Sequence, residues 1–484
     1  MYNNLPHIFD NEAARYFLLG GVDLIDKEFQ STLIRKTLSR GGEYADVFVE
    51  QREQTSLVIE DGKLEKVVTG TETGVGIRLI YKGRTAYAFS NDLSEKVLLQ
   101  VAYETSKAAG EGHFEGSIDL EVKKPSVTFD IKLLPANVAI GSKIDLIRKM
   151  DKTARKFDPR IKQVTAIYRD SVQKVRVATS DGTFAEDDRV YTTAMVQVIA
   201  AQDGLIQSGT EPLGGSVGFE IFEENDIEEL SLTAARRAVA MLSARKAPGG
   251  RMPVIISSRA GGTMIHEAIG HGLEADLAQQ GLSVFSGKIG TQVASPLITV
   301  IDDATLPGKR GSFRFDDEGT PSQQTVLVEK GILRSYLYDR LTAMKDKVRS
   351  TGNGRRESYR HRPIPRMTNT LITAGEMSHD EILNSLDTGI LVEKMGGGQV
   401  NTVTGDFVFE VQEGYLIEKG KKGELVRGAT LTGNGPMVLE SIDMVADDLG
   451  FSIGTCGKDA QGVPVSDAMP TVRIPEIIVG GTYD

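Results

Sequence analysis

Little in this sequence could brace the fold covalently or anchor it in a membrane. Cys456 is the single cysteine, so no intrachain disulfide can form and packing alone must hold the fold. A reducing compartment suits such a chain. No stretch approaches the roughly 20 consecutive apolar residues needed to cross a bilayer. Residues 1–26 have early acidic groups and one short apolar run, 16–19, without the basic segment and long apolar segment of a secretory signal. A cytoplasmic protein is therefore expected. Positive charge is also short. The 56 Lys and Arg face 67 Asp and Glu, a net −11, which argues against a general nucleic-acid or anionic-membrane binder.

What the sequence does have is the make-up of an ordinary globular protein. With 484 residues, 40% apolar and 25% charged, it can bury sizeable cores and divides into two or three domains. Its 52 glycines favour strands and turns over a helical bundle. A helix at 32–38 precedes strand patterns at 44–49, 55–60, 63–69, 74–81 and 84–90, with Asp61-Gly62 and Lys82-Gly83 as hairpin turns. Asp92 or Ser94 can cap a helix running to about residue 109. After a charged, proline-bearing connection at 114–137 a similar order recurs. It comprises a helix at 143–157, strands at 161–170, 174–179, 183–190 and 192–201, and a helix at 226–245. The pattern suggests a duplicated unit, although the residues themselves do not repeat. Lys246-Ala247-Pro248-Gly249-Gly250 marks a boundary. The expected fold class is α+β: an N-terminal α+β domain at 1–113 and a second at 114–245, with antiparallel sheets flanked by helices. A large, mainly antiparallel β-rich domain at 246–484 then carries the chemistry.

Among the six histidines (His7, His113, His266, His271, His361 and His379) one pair are close neighbours. Residues 252–258 read as a buried strand, Gly261-Gly262 breaks it, and Thr263 can cap a helix carrying His266-Glu267-Ala268-Ile269-Gly270-His271, an HExxxH motif. In the HExxH helix the two histidines stand four residues apart and both reach one zinc ion. Here they are five apart, and on a regular helix they would diverge by about 140°. A single π-type turn, with i→i+5 bonding, would realign them, and such turns occur frequently at functional sites. Gly270 and Gly272 flank the second histidine, each costing about 1 kcal/mol in a regular helix, so helix propensity is poor where irregularity is needed.

The motif by itself would also suit two helix-face histidines with ordinary partners and a solvated Glu267. Two histidines leave a tetrahedral ion short of a protein ligand. Cys456, in Gly454-Thr455-Cys456-Gly457-Lys458, is the first candidate for the third, its flanking glycines suggesting a tight exposed turn that presents a thiolate. Glu274 is the second candidate; it and Asp276 could instead be surface acids or could orient the histidines. His266, His271 and Cys456 would leave the fourth position of Zn2+ for water, as expected of a catalytic site. Glu267, beside a ligand and not needed for coordination, could act as general base and then pass the proton to a leaving amine. Two other readings use the same residues. One is a non-catalytic assembly or peptide-binding subunit with a structural metal, the other a cysteine nucleophile paired with His266 or His271.

The segment 266–274, Met395-Gly396-Gly397-Gly398-Gln399-Val400, Thr404-Gly405-Asp406-Phe407-Val408-Phe409 with Glu413-Gly414-Tyr415-Leu416, and the Cys456 segment together resemble the TldD subunits of the TldD/PmbA metallopeptidase family. The similarity runs from about residue 40 to the C-terminus. It implies a zinc-dependent peptidase acting on unfolded or flexible peptides, with His266, His271 and Cys456 on the metal and Glu267 as base. It also implies a hetero-oligomer with a PmbA-like (TldE-like) chain lacking the HExxxH residues, a homodimer being the alternative, with no direct nucleic acid and no membrane. One departure is Ser466-Asp467-Ala468-Met469-Pro470, where related chains tend to have a glycine and glutamine before the proline; it leaves the shape around Cys456 open. Residues 395–411 are expected either to offer an edge, or a loop over one, to which an extended peptide could add, or to hold no more than a turn at Gly396-Gly397-Gly398. Arg355, Arg356, Arg360, Arg362 and Arg366, around His361, are expected to form a solvated positive loop or a subunit contact.

Overall fold

The computed structural model describes residues 25–481 apart from 111 and 115; His7 and the apolar run at 16–19 lie outside the described residues. Helix α1 (Lys27–Leu38) starts where the Asp26 carboxylate accepts the Phe29 N–H at 2.7 Å, and it buries Leu33, Ile34 and Leu38. Strands β1 (Tyr44–Glu60), β2 (Lys63–Tyr81) and β3 (Arg84–Ser90) and helix α2 (Glu95–Ser106) complete the first unit. The second comprises α3 (Ile140–Arg155), β4 (Ile161–Thr179), β5 (Thr183–Gln202), β6 (Leu205–Gly215) and α4 (Ile227–Ser243). At the β1–β2 turn Asp61 and Gly62 have φ of 50° and 75°, the pair of left-handed residues that such a tight hairpin needs.

The strands expected in short pieces are continuous. β1 runs through Gln51-Arg52-Glu53-Gln54 without a break, and so do β4 and β5 through their own polar stretches. The physical reason is pairing on both sides: β1 is hydrogen-bonded to β2 and to β4 along nearly its whole length, so its backbone groups are satisfied whatever its side chains are. The polar side chains of the middle stretch face the C-terminal half. Glu50 accepts the Tyr359 N–H at 2.7 Å and the Gln173 amide at 2.8 Å. The β1–β4 pairing also merges the two units into a single antiparallel sheet ordered β3-β2-β1-β4-β5-β6. Helices α1 and α2 cover one end of it, α3 and α4 the other.

The C-terminal half is β-rich. β7 (Gly250–Ile256), β8 (Val300–Asp303), β9 (Gln324–Glu329) and β10 (Asn369–Ile372) are short. β11 (Thr388–Val400) and β12 (Asp406–Glu418) form a long hairpin, followed by β13 (Lys421–Arg427) and β14 (Thr430–Asn434). β15 (Gly450–Lys458), β16 (Gln461–Met469) and β17 (Val472–Gly480) end the chain. One sheet runs β11-β7-β17-β14-β12, and the β11–β12 pairing closes it on itself. The other runs β9-β8-β10-β16-β15, with β15 at its edge. A shared core that includes Val254, Ile265, Ile269, Met367, Phe409, Cys456 and Ile474 lies between them, with the histidine motif inside it. The fold is α+β, as the sequence led us to expect.

Candidate metal centre

The short helix Thr263–Ile265 leads into a π-helical turn at His266–Gly270, in which the His271 N–H donates to the His266 carbonyl, the i→i+5 bond inferred from the histidine spacing. Gly270 is required by close packing as well as by irregularity: a Cβ there would lie 2.2 Å from Met367 Sδ. The turn brings the two imidazoles together, ring centres 5.0 Å apart and planes at 90°.

Cys456 joins them. Its sulfur lies 3.5 Å from His271 Nε2, and the donor atoms of His266, His271 and Cys456 are all within 4.8 Å of one another. A tetrahedral ion with zinc–nitrogen bonds of about 2.0–2.1 Å and a zinc–sulfur bond of about 2.3 Å needs a sulfur–nitrogen separation of about 3.6 Å. The donor set therefore fits zinc in its chemistry, and the sulfur–His271 separation matches that spacing. The expected exposed turn at Cys456 is corrected: the residue lies within β15, three residues before the hairpin turn at Asp459-Ala460, and is 3% exposed. The flanking glycines misled because the strand is at a sheet edge, where small residues line a cleft without ending the ladder.

Behind the three donor residues stand two carboxylates. Glu274, fully buried, places Oε2 3.1 Å from His271 Nδ1, so it orients that ring from the side away from the sulfur. Lys458, two residues past Cys456, lies 3.2 Å from Glu274 and 2.7 Å from Asp276. Asp467 has its Oδ2 3.7 Å from the buried His266 Nδ1, beyond hydrogen-bond reach but within electrostatic range, and it accepts the Ser452 hydroxyl. The departing 466–470 segment thus supplies an acid beside a histidine. Neither Lys458 nor Asp467 was given a role in the site from the sequence. The two-residue strand spacing from Cys456 to Lys458 was the one available signal for the lysine.

Burial pushes the Cys456 thiol up, yet hydrogen bonds and charge from the two imidazoles outweigh it and bring its pKa down to about 5. Burial works against a proton on His271, but the Glu274 carboxylate and Cys456 hold it, raising the ring well above its usual range. For Glu274 burial is overcome by Lys458 and His271, leaving it at about 2. Glu267, half-buried, is raised mainly by desolvation. It lines an open cleft of about 460 Å³ together with His266, His271, Cys456, Lys458 and Gln399.

The expected solvated arginine loop is also corrected. Arg355, Arg356 and Arg366 are at most 4% exposed, and Arg360 and Arg362 alone stand at the surface. Arg355 donates to the Met367 and Pro464 carbonyls, and Arg366 to the Cys456 carbonyl, so these guanidiniums pin the backbone around the site. The glycines at 396–398 sit in a bulged part of β11 that borders the cleft, not in a turn. No described helix is long and apolar enough to cross a membrane.

Models of three successive domains of one family match this chain: PmbA/TldA metallopeptidase domain 1 at residues 45–109, the central domain at 134–242 and the C-terminal domain at 249–481. The chain is 39% identical over 452 residues to a metalloprotease TldD homolog of Haemophilus influenzae, covering 92% of this chain and 94% of the relative. It is 26% identical over 450 residues to a zinc metalloprotease TldD homolog of Saccharolobus solfataricus, covering 93% and 99%. The solved structure of TldE from Thermococcus kodakarensis shares the fold, with a TM-score of 0.75 at 18% identity, over 94% of this chain and all of that one. With the histidine pair, the buried thiol and these relatives in place, the chain belongs to the PmbA/TldD family of metallopeptidases.

Proposed function

We propose that this metallopeptidase is zinc-dependent, that His266, His271 and Cys456 hold the ion, and that Glu267 is the general base. The observation carrying this reading is the convergence of three donor atoms within 4.8 Å, from the buried His266 and Cys456 and the half-buried His271, beside an open cleft lined by Glu267. A bound zinc ion would supply Lewis acidity at the scissile carbonyl and lower the pKa of a water at its open position. Glu267 takes a proton from the attacking water on its carboxylate and delivers it to the leaving amine. Its desolvation, which raises its pKa, makes it a better proton acceptor than an exposed glutamate. Glu274 and Asp467 hold the imidazoles from behind, and Arg366 fixes the Cys456 backbone.

The substrate is an unfolded or flexible peptide. Among the described residues β15 pairs only with β16, and β11 pairs with β7 only at residues 390–392, so both strands carry a free edge along the cleft. An extended chain can hydrogen-bond to such edges whatever its sequence. A valine at Gly397, where a Cβ meets nothing within 4 Å, tests this without disturbing the core: peptide KM should rise several-fold, and an unchanged KM removes that edge from the scheme. Assembly with a PmbA/TldE-like chain, or with a second copy, and a cytoplasmic setting belong to the same proposal.

The central experiment is Glu267→Ala. Hydrolysis should fall by about 10²–10⁴-fold while bound zinc stays near one per chain. Retained turnover rejects Glu267 as the base, and activity surviving a chelator transfers the reaction to a Cys456 nucleophile.

A further inference from the structure

A second cavity of about 590 Å³ is lined by other stretches of the two strands that border the metal cleft. β15 lends residues 455–458 to the first and 451–453 to the second; β11 lends 398–400 to the first and 393–395 to the second. The two cavities therefore follow one another along the same two strands, and an extended peptide added to those edges would make contacts running past both. At about 3.3 Å per residue, Ser452 and Ile453 stand about 10–13 Å along β15 from Cys456. Strand β6 and helix α4 wall the second cavity with Glu211 and Arg237.

Most charges in this second cavity answer one another. Arg237 binds Glu413 at 2.6 Å and Glu211, Lys394 reaches Glu211 at 3.4 Å, and Glu393 takes Lys422 at 2.9 Å and Arg259 at 3.5 Å. Lys309 is different. Its ammonium sits 3.7 Å from the centre of the Phe451 ring, and among the described residues no carboxylate lies within ion-pair distance of it. Desolvation alone acts on it, lowering its pKa. The next residue, Arg310, has a buried Nη1 with no hydrogen-bond partner and an Nη2 3.3 Å from Thr455 Oγ1. Phe451, Ile453 and Thr455 alternate onto one face of β15, so the ammonium and the guanidinium flank Ile453. Their loop is fixed from both sides: the Ser216 N–H donates to the Gly308 carbonyl at 3.2 Å, and the Arg310 N–H to Ser466 Oγ at 2.9 Å.

Two partly desolvated cations without an acid are costly to keep, and in a chain of net charge −11 many carboxylates could have neutralised them. We propose that Lys309, with the charge of Arg310 behind it, forms a carboxylate-recognising subsite in the second cavity, which holds a free C-terminus or an acidic side chain of the bound peptide three to four residues from the bond presented to Glu267. The assignment rests on the peptidase reading for its occupant and deepens it into a substrate preference: peptides bearing a carboxylate at that distance bind best. The anion meets an ammonium already seated on an aromatic ring, and the guanidinium of the next residue adds positive field from behind it.

Binding to the zinc-loaded, full-length Glu267→Gln chain tests this without turnover. One dye-labelled flexible peptide is compared in three forms: a free C-terminal carboxylate, a C-terminal amide, and the amide carrying a glutamate at the predicted distance. One of the two acid forms should bind about tenfold more tightly than the neutral amide at low salt, and which one it is identifies the source of the carboxylate. The preference should fall below about twofold in Lys309→Met and persist in Lys309→Arg. Equal affinity for all three forms overturns the subsite, and that comparison needs no variant at the lysine. A preference surviving Lys309→Met together with Arg310→Met overturns it as well. Failure of the peptidase reading shows separately, as wild-type protein that binds these peptides and cleaves none.

Discussion

Two clusters of buried ionisable side chains, similar in composition, are built to opposite ends. At the junction between the N-terminal sheet and the C-terminal half the charges close on one another. Arg78 Nε lies 2.6 Å from Asp46 and its Nη2 2.7 Å from Glu318; Arg189 reaches Asp317 at 2.7 Å, and Arg314 reaches Asp187 at 2.7 Å. Arg356 stacks 4.2 Å from the centre of the Phe48 ring. At the metal centre the pairing is one-sided. Glu274, Asp467 and Lys458 occupy the backs of the histidines, while Sγ, the imidazole donors and Glu267 are left to the cleft. A closed network joins two pieces of chain; an open one keeps its remaining valence for something from outside.

The largest expected effect comes from opening the closed network. Arg78→Met leaves Asp46 and Glu318 buried beside one another's field with one cation removed, and should lower unfolding stability by about 3–5 kcal/mol in urea titrations of metal-free protein. Zinc affinity of the fraction still folded should be unchanged, because Arg78 touches no group of the metal centre. A loss under about 1 kcal/mol would mean that the network is replaceable and that apolar packing alone joins the halves.

The two clusters also differ in the sign of their pH response. Burial, reinforced by Glu318, raises Asp316 to about 8 and Asp339 to about 7. Folded protein then binds more protons than unfolded chain, so the stability these two acids contribute is fully present below about pH 4 and is lost as pH rises toward 8. Glu274, held at about 2, contributes in the other direction: its share is present above the ordinary glutamate range and is lost as pH falls toward 2. Urea midpoints of metal-free protein should therefore decline between pH 5 and 8, by up to about 1.4 kcal/mol per pH unit for each proton released. Asp339→Asn, which keeps the helix-capping oxygen facing the Thr342 N–H, should flatten that decline. A slope identical to wild type would place the titration elsewhere.

The open cluster was far more legible in the sequence than the closed one, for a physical reason. A metal centre concentrates rare residues: six histidines and one cysteine leave few combinations, and the five-residue spacing dictated the π turn that is observed. The acids behind it were only partly visible. Glu274 lies in the motif, whereas Asp467 comes from a strand about 200 residues away. The arginine network is made of common residues such as Arg78, Asp317 and Arg356, whose partners are set by tertiary folding and leave no spacing rule. For the same reason the polar middle of β1 read as a break: its side chains face Tyr359, which nothing local announces. The α+β class, the Asp61-Gly62 and Lys82-Gly83 turns and the helices that follow the strands rest on local chemistry, and those were readable.

The smallest and sharpest test acts on the one residue that belongs to the open cluster yet behaves like a member of the closed one. Lys458 is 9% exposed in its side chain and pairs with both Glu274 and Asp276, but it also lines the cleft. Lys458→Met removes the cation that does most to counter the burial of Glu274, so the carboxylate rises toward neutrality and grips His271 Nδ1 less firmly. Zinc affinity, measured by competition with a chelator, should fall by about 10–100-fold, equivalent to about 1.4–2.7 kcal/mol, while metal-free stability drops less than in Arg78→Met. Arg at 458 should restore much of the affinity. If zinc binding is indifferent to the methionine, Glu274 orients His271 unaided. Lys458 then belongs with the structural pairs, and the boundary between the two kinds of cluster falls between Glu274 and Lys458.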